Sequence, residues 1–170
     1  MPSFMDLILE ELPKKSKEAF EENKKYFKKL KKRIPKKLDL LMQELHDNEF
    51  AKTNCLDCAH CCKTTSPIFT EKDILRIAKH LRMRPRKFSE QYLYRDSDDF
   101  MVLKSAPCPF LDEYDHSCHI YHVRPKACVE YPHTNRKKFI QLTDLTIKNT
   151  EVCPAAVSYT HLTLPTTPYV

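Results

Sequence analysis

Four thiols stand within eight residues, Cys55-Leu56-Asp57-Cys58-Ala59-His60-Cys61-Cys62, and Cys108, Cys118, Cys128 and Cys153 follow downstream. These are all eight cysteines of the chain. As thiolates they are soft ligands suited to zinc, iron or an iron–sulfur cluster. The N-terminus carries no charged-then-apolar secretory signal, so the expected compartment is the reducing cytoplasm, where clustered cysteines indicate metal before disulfide. Cys55-x-x-Cys58 alone is shared with thioredoxin-like redox pairs. That chemistry needs a strand before the motif and a long helix after it, whereas here helical segments precede and Cys61-Cys62 follows at once. Inert buried thiols are the remaining alternative, and so dense a cluster argues against it.

If Cys55 to Cys62 formed one helix, a turn of about 100° per residue would put Cys55, Cys58 and Cys62 on a narrow face and Cys61 to one side. Adjacent cysteines chelate one ion awkwardly, which favours two ions or a polynuclear cluster. Among the histidines, His60, His116, His119, His122 and His133 lie near the thiols in sequence. Each alone reads as an ordinary surface or satisfied histidine, with His60 and His133 the first to consider as substitute ligands or donors to ligands.

The elements that must position these thiols can be read from periodicity. Phe4, Leu7, Ile8 and Leu12 fit a helix closed by Pro13, and Phe20, Phe27, Leu30 and Ile34 mark a second, lysine-rich helix ending before Pro35. A third, about Lys37 to Phe50, carries Leu38, Leu41, Met42 and Leu45. Thr70-Glu71-Lys72-Asp73 has the form of a capping box opening a helix with Ile74, Ile77, Ala78 and Leu81 inward. A short helix from Lys87 to Tyr94 should bury Phe88, Tyr92 and Leu93. Phe100 to Lys104 alternates as a strand, and Phe110-Leu111 with Cys118 to Tyr121 suggests a hairpin turning at Asp112 to His116. Phe139 to Leu142 is expected to be another short strand.

At 170 residues with no glycine and 12 prolines, the chain suits one moderate core, and glycine-dependent phosphate loops are excluded in their usual form. No apolar run is long enough to cross a bilayer. The formal charge of +6 would fall to about +2 if eight thiolates held two dications. Positive charge concentrates between Pro13 and Lys37, where 12 Lys/Arg face three Glu. A solvated helix face explains these lysines most simply. A nucleic-acid or lipid surface is the weaker alternative, since no aromatics interleave for base stacking. Val157 to Val170 carries no charged side chain and reads as a non-native tail.

Taken together, Cys55-x-x-Cys58-x-x-Cys61-Cys62, Pro107-Cys108-Pro109-Phe110-Leu111, Cys118-x-Ile120-Tyr121-x-x-Arg124-Pro125-x-x-Cys128, Tyr131-Pro132 and Cys153-Pro154 resemble the YkgJ-type cysteine cluster family, the CxxCxxCC zinc- or iron-chelating domain. The resemblance runs from about Asn54 to Ala156. It departs at Val129, where the family usually has Arg. It implies a zinc, iron or iron–sulfur site built from the cysteines. A related cluster in flagellin lysine N-methyltransferases implies an enzymatic alternative. Tyr121 and Arg124 precede Cys128 closely enough to orient thiolates.

The expectation is a mostly helical α+β fold: a basic helical arm over residues 1–50, a metal-stapled domain with a short hairpin over 51–156, and the tail 157–170. All eight cysteines are expected as ligands in a mainly structural or metal-holding site. An iron–sulfur enzyme and a nucleic-acid-binding module led by the basic arm are the alternatives, and no protein partner is indicated.

Overall fold

A computed structural model describes residues 4–161. In chain order the helices are α1 (Phe4–Lys32), α2 (Leu38–Phe50), α3 (Cys55–Cys58), α4 (His60–Thr64), α5 (Glu71–His80) and α6 (Pro85–Tyr92). The strands β1 (Leu93–Arg95) and β2 (Met101–Leu103) come next, then α7 (Lys126–Glu130), α8 (Thr143–Asn149) and α9 (Pro154–His161). The fold is mostly helical with one small antiparallel sheet, the α+β class expected. The chain forms two compact units, Met1–Cys58 with Pro132–Val170, and Ala59–Tyr131. These boundaries cut the chain differently from the 1–50 and 51–156 division expected from sequence.

The first unit is organised by α1. Its buried residues Leu12, Ser16, Ala19, Asn23, Phe27 and Leu30 recur every three or four positions, so they form one stripe while the lysines occupy the remaining arc. Pro13 was expected to end a helix and instead lies inside α1. An internal proline costs about 3 kcal/mol through a lost hydrogen bond and a clash with the preceding turn. Burial of Leu12 and Ser16 on the same face offsets that cost and keeps the helix running. Phe20 and Ile34, expected inward, are exposed.

Phe27 and Leu30 share a core with Leu38 and Met42 of α2 and with Phe139 and Ile147, so α1 is no isolated arm. The segment expected as a strand is a 3-10 turn over Phe139–Gln141. Lys138 adopts a left-handed backbone before it, and the Asp39 carboxylate accepts the amides of Lys138 (2.8 Å) and Phe139 (3.1 Å). That carboxylate satisfies the amides that a strand would have paired. α8 and α9 pack on α1, α9 also packs on α2, and Ser16 Oγ meets Thr150 Oγ1 at 3.0 Å. α9 extends past Val157, which is buried, whereas residues 162–170 of the expected tail lie outside the described residues.

The second unit has its own core of Phe69, Ile77, Ala78, Phe88, Leu93, Leu103, Phe110 and Ile120. The expected capping box opens α5: Thr70 Oγ1 accepts the Asp73 amide, and Asp73 accepts the Thr70 amide at 2.9 Å. α5 closes with the Met83 amide donating to Ala78 O (2.9 Å) and the Arg82 amide to Lys79 O (3.1 Å), with Arg82 left-handed at φ 54°. This is a Schellman ending made without its usual glycine. Pro85 begins α6, where a missing amide costs nothing. β1 pairs with β2 in the register Leu93 to Leu103, Tyr94 to Val102 and Arg95 to Met101. Asp96 Oδ1 caps their turn by accepting the amides of Asp98 and Phe100. The expected hairpin is present around the Leu111–Cys118 bridge, with the Asp112 amide donating to Ser117 O at 2.8 Å.

Candidate metal centre

The dense cysteine segment is not one helix. Ala59 sits in the left-handed region at φ 46° and splits it into α3, with Cys55 and Cys58, and α4, with Cys61 and Cys62. A left-handed non-glycine residue costs about 1–2 kcal/mol. Ala59 is nevertheless buried, so packing holds the break in place. The single-face arrangement of Cys55, Cys58 and Cys62 expected from a continuous helix is therefore replaced by two pairs, one in each compact unit.

In the second unit, four thiols from four separate segments influence one another. Cys62 lies on α4, Cys108 in the loop before the hairpin, Cys118 on the hairpin and Cys128 in α7. The Cys108 amide donates to Cys62 O at 2.8 Å, tying its loop to α4. Burial pushes the Cys128 thiol up to about 12, and nearby charge on Cys62, Cys108 and Cys118 adds to the shift. Cys108 is pushed up to about 11, by burial first, with Cys62 and Cys118 adding to it. Cys118 is raised by burial and by Cys62. Cys62 alone falls, to about 7, through its hydrogen bond with Cys61 and the Lys63 charge, against the effect of burial.

In the first unit, Cys153 is pushed up to about 12 by burial, with charge on Cys55 and Cys58 adding to the shift. Its neighbours are thus the Cys-x-x-Cys pair of α3. Both α3 and α9, which begins immediately after Cys153, pack against α1.

The two units share a local device. The Phe110 amide faces the Cys108 sulfur and the Ala155 amide the Cys153 sulfur, while the Leu111 and Ala156 amides donate to the carbonyl oxygens of Cys108 (3.1 Å) and Cys153 (3.0 Å). Each cysteine precedes a proline, Pro109 or Pro154, which has no amide of its own. Amides aimed at sulfur favour thiolate over thiol. The Cys-Pro steps were visible in the sequence, and the geometry they produce was the signal sequence reading missed.

A clamp that sequence reading also missed holds Cys128. Besides capping α5, the Asp73 carboxylate accepts the Lys126 amide at 3.1 Å, fixing the first turn of α7. Arg76 Nη2 bonds Asp73 at 2.6 Å and also donates to Arg124 O at 2.9 Å. Burial raises the Asp73 pKa, but bonds from Thr70, Arg76 and Lys126 outweigh it and hold the carboxyl below its ordinary value. The Arg124 guanidinium lies 3.8 Å from the centre of the Tyr121 ring and donates to Tyr121 O. Its charge opposes the upward shifts of Cys118 and Cys128, in keeping with a role in steadying thiolates.

The histidines are less involved. His116 Nε2 faces Lys63 Nζ at 2.8 Å, and His119 Nε2 is 3.9 Å from Asp112. His122 makes an edge contact with Tyr121, and His133 occupies a left-handed turn in the first unit. Burial, then Lys63, lowers the His60 pKa.

Among the described residues no disulfide joins any cysteines, and no three His, Cys, Asp or Glu side chains are placed to hold a metal ion together. The sulfurs are neighbours within electrostatic reach rather than a finished coordination shell. Neutral thiols attract one another weakly, so a cation is what could draw them into one shell. The donor chemistry fits zinc or iron: several sulfurs held near one another, with amides directed at two of them. No helix among the described residues is long and apolar enough to cross a membrane.

No solved structure matches the chain. A family model does match, over residues 54–154, which span every cysteine and both Cys-Pro steps, and the chain belongs to that family, described as "CxxCxxCC: Putative zinc- or iron-chelating domain".

Proposed function

We propose that this protein holds zinc or iron through its cysteines and that the metal serves mainly to tie separate chain segments together. The observation that carries the reading is the gathering of Cys62, Cys108, Cys118 and Cys128 from four segments into one unit, with the Cys108 amide on Cys62 O at 2.8 Å and Cys118 in the hairpin bridge with Leu111. When bound, the metal supplies the positive charge that makes several thiolates compatible in a half-buried place. The chain's own residues do the rest. Cys61 and Lys63 loosen the Cys62 proton, the Phe110 amide faces the Cys108 sulfur, and Arg124 offsets charge at Cys118 and Cys128. Asp73 keeps the helix of Cys128 in position. Cys55, Cys58 and Cys153 complete the ligand set in the first unit. A reducing compartment such as the cytoplasm belongs to this reading, because the ligands must stay reduced.

Anaerobic purification followed by metal analysis and visible absorbance tests it. A colourless protein with stoichiometric zinc is the expected outcome. Iron with inorganic sulfide and a visible band would instead favour the second reading, an iron–sulfur enzyme, for which the motivation is a thiol count beyond the demand of one zinc ion. Protein free of both metals would overturn the proposal.

A further inference from the structure

In the first unit, the turn between α1 and α2 and the turn at Lys138 enclose an open cleft of about 430 Å³. Pro35 makes the first turn: α1 stops at Lys32, and the Leu38 amide donates to Pro35 O at 3.1 Å as α2 begins. Asp39 ties the second turn to α2 through the amides of Lys138 and Phe139. Asp39 and Lys138 are 99 positions apart, so tertiary packing, not helix periodicity, brings Lys138 to the same cleft as Lys36 and Lys37. Leu38 and Ile140 anchor the lining to the core around Phe27. Ile34, 53% exposed, and Leu40, 63% exposed, leave apolar surface of the cleft open to water.

Lys36, Lys37 and Lys138 are exposed, and among the described residues none of them is in an ion pair. Lys31, by contrast, is held by Asp144 at 3.2 Å and Lys15 by Glu11 at 2.7 Å. The acid in the lining, Asp39, already accepts two backbone amides. Three ammonium groups against that one carboxylate leave the cleft a net +2. We propose that this cleft binds a phosphate monoester carrying a small apolar or aromatic group, with Lys36, Lys37 and Lys138 taking the phosphate and Ile34, Leu40 and Ile140 the apolar part. Such an ester carries close to two negative charges at neutral pH, and each lysine supplies a flexible point charge that adapts to its oxygens. With no glycine in the chain for a phosphate-cradling loop, side-chain charge takes over that task. The volume falls within the roughly 300–1,000 Å³ of small-molecule sites. No cysteine is among the described residues that line the cleft, so this site and the metal centre stand or fall separately. A free ester and the headgroup of an anionic lipid present the same chemistry; in the second case Ile34 and Leu40 meet the acyl chains.

Titration of the full-length protein as purified with phenyl phosphate, followed by amide nuclear magnetic resonance, tests the site. Saturable shifts should centre on residues 36–40 and 138–141, weaken with added salt, and be absent with benzyl alcohol, which has the ring without the charge. The double variant Lys36→Gln/Lys37→Gln should lose about tenfold in affinity, and Lys138→Gln about threefold, the worth of exposed charge contacts. Lys28→Gln/Lys29→Gln, which removes the same charge from an exposed part of α1 outside the cleft, should bind as wild type. The amide spectrum itself identifies a variant that has failed to fold. Sedimentation with phosphatidylcholine vesicles, with and without phosphatidic acid, separates the two sources. Capture that needs phosphatidic acid and is lost in Lys36→Gln/Lys37→Gln assigns the phosphate to a lipid headgroup, and phenyl phosphate binding without capture assigns it to a free ester. No saturable shift, or equal shifts with benzyl alcohol, overturns the proposal. Equal weakening by Lys28→Gln/Lys29→Gln also overturns it, in favour of an extended basic face of the kind nucleic acid uses.

Discussion

Cys128, on α7, is influenced by Cys62, Cys108 and Cys118 and opposed by Arg124. Replacing it with serine should remove a ligand and forfeit the stability that metal binding supplies. That is about 3 kcal/mol when free metal exceeds Kd by a hundredfold, or about 10 °C in melting temperature. Cys58→Ser should act in the same direction through the first unit. Metal content and thermal denaturation check both, and full metal with wild-type melting in both variants would refute the ligand assignment. Asp73 makes a different prediction, because its folded pKa is depressed below the ordinary 3.8. Its contribution is present above the unfolded value and disappears as pH falls through the lower folded value. Asp73→Asn should therefore cost about 2 kcal/mol at neutral pH, the worth of charge-assisted bonds to a side chain only 2% exposed. The difference from wild type should shrink below about pH 4 in urea denaturation followed across pH.

The short elements work without glycine, and the cost shows in their backbone. Ala59, Arg82, Asp99, His116, His133 and Lys138 all have positive φ. At Ala59 the buried methyl offsets part of the strain, so a glycine there gains little. Arg82 is exposed at the Schellman position after α5 and has no such compensation. Arg82→Gly should raise stability by up to about 1 kcal/mol, the left-handed strain less the added chain entropy of glycine. An unchanged or lower denaturation midpoint would show that the arginine side chain contributes more than its backbone costs. The same loss of glycine explains why aspartates recur at turns, since Asp96, Asp112 and Asp115 accept the amides that a tight turn leaves over.

Each unit buries its own hydrophobic cluster, around Phe27, Met42 and Phe139 in one and around Phe88, Ile77 and Phe110 in the other. Both clusters are small for the length of chain they order, so metal coordination has stability to add. Treating the reduced, metal-loaded protein with a zinc or iron chelator should lower its melting temperature and increase protease cleavage near the cysteines. The four-sulfur unit should show the larger effect, because more segments meet there. Equal melting curves with and without chelator, with metal removal verified, would leave the centre without a structural role.

The amino-acid sequence by itself determined the chemistry: eight reduced-type cysteines in an ordered pattern, the capping box at Thr70, the basic stripe and the hairpin around Asp112 are local signals that need no distant partner. It was poorer at continuity. Pro13 read as a helix end and Phe139 as a strand, because burial of Leu12 and the reach of Asp39 to the Phe139 amide come from residues that only packing brings near. Periodicity likewise could not reveal that Asp73 would also hold Lys126, 53 positions away. Above all, sequence spacing placed Cys55 to Cys62 together. Tertiary structure divided them, since the left-handed Ala59 interrupts the helix and the two halves belong to different compact units, each with its own further cysteines. Ligand type is a property of the side chain, but which ligands share an ion depends on chain paths set by nonlocal burial.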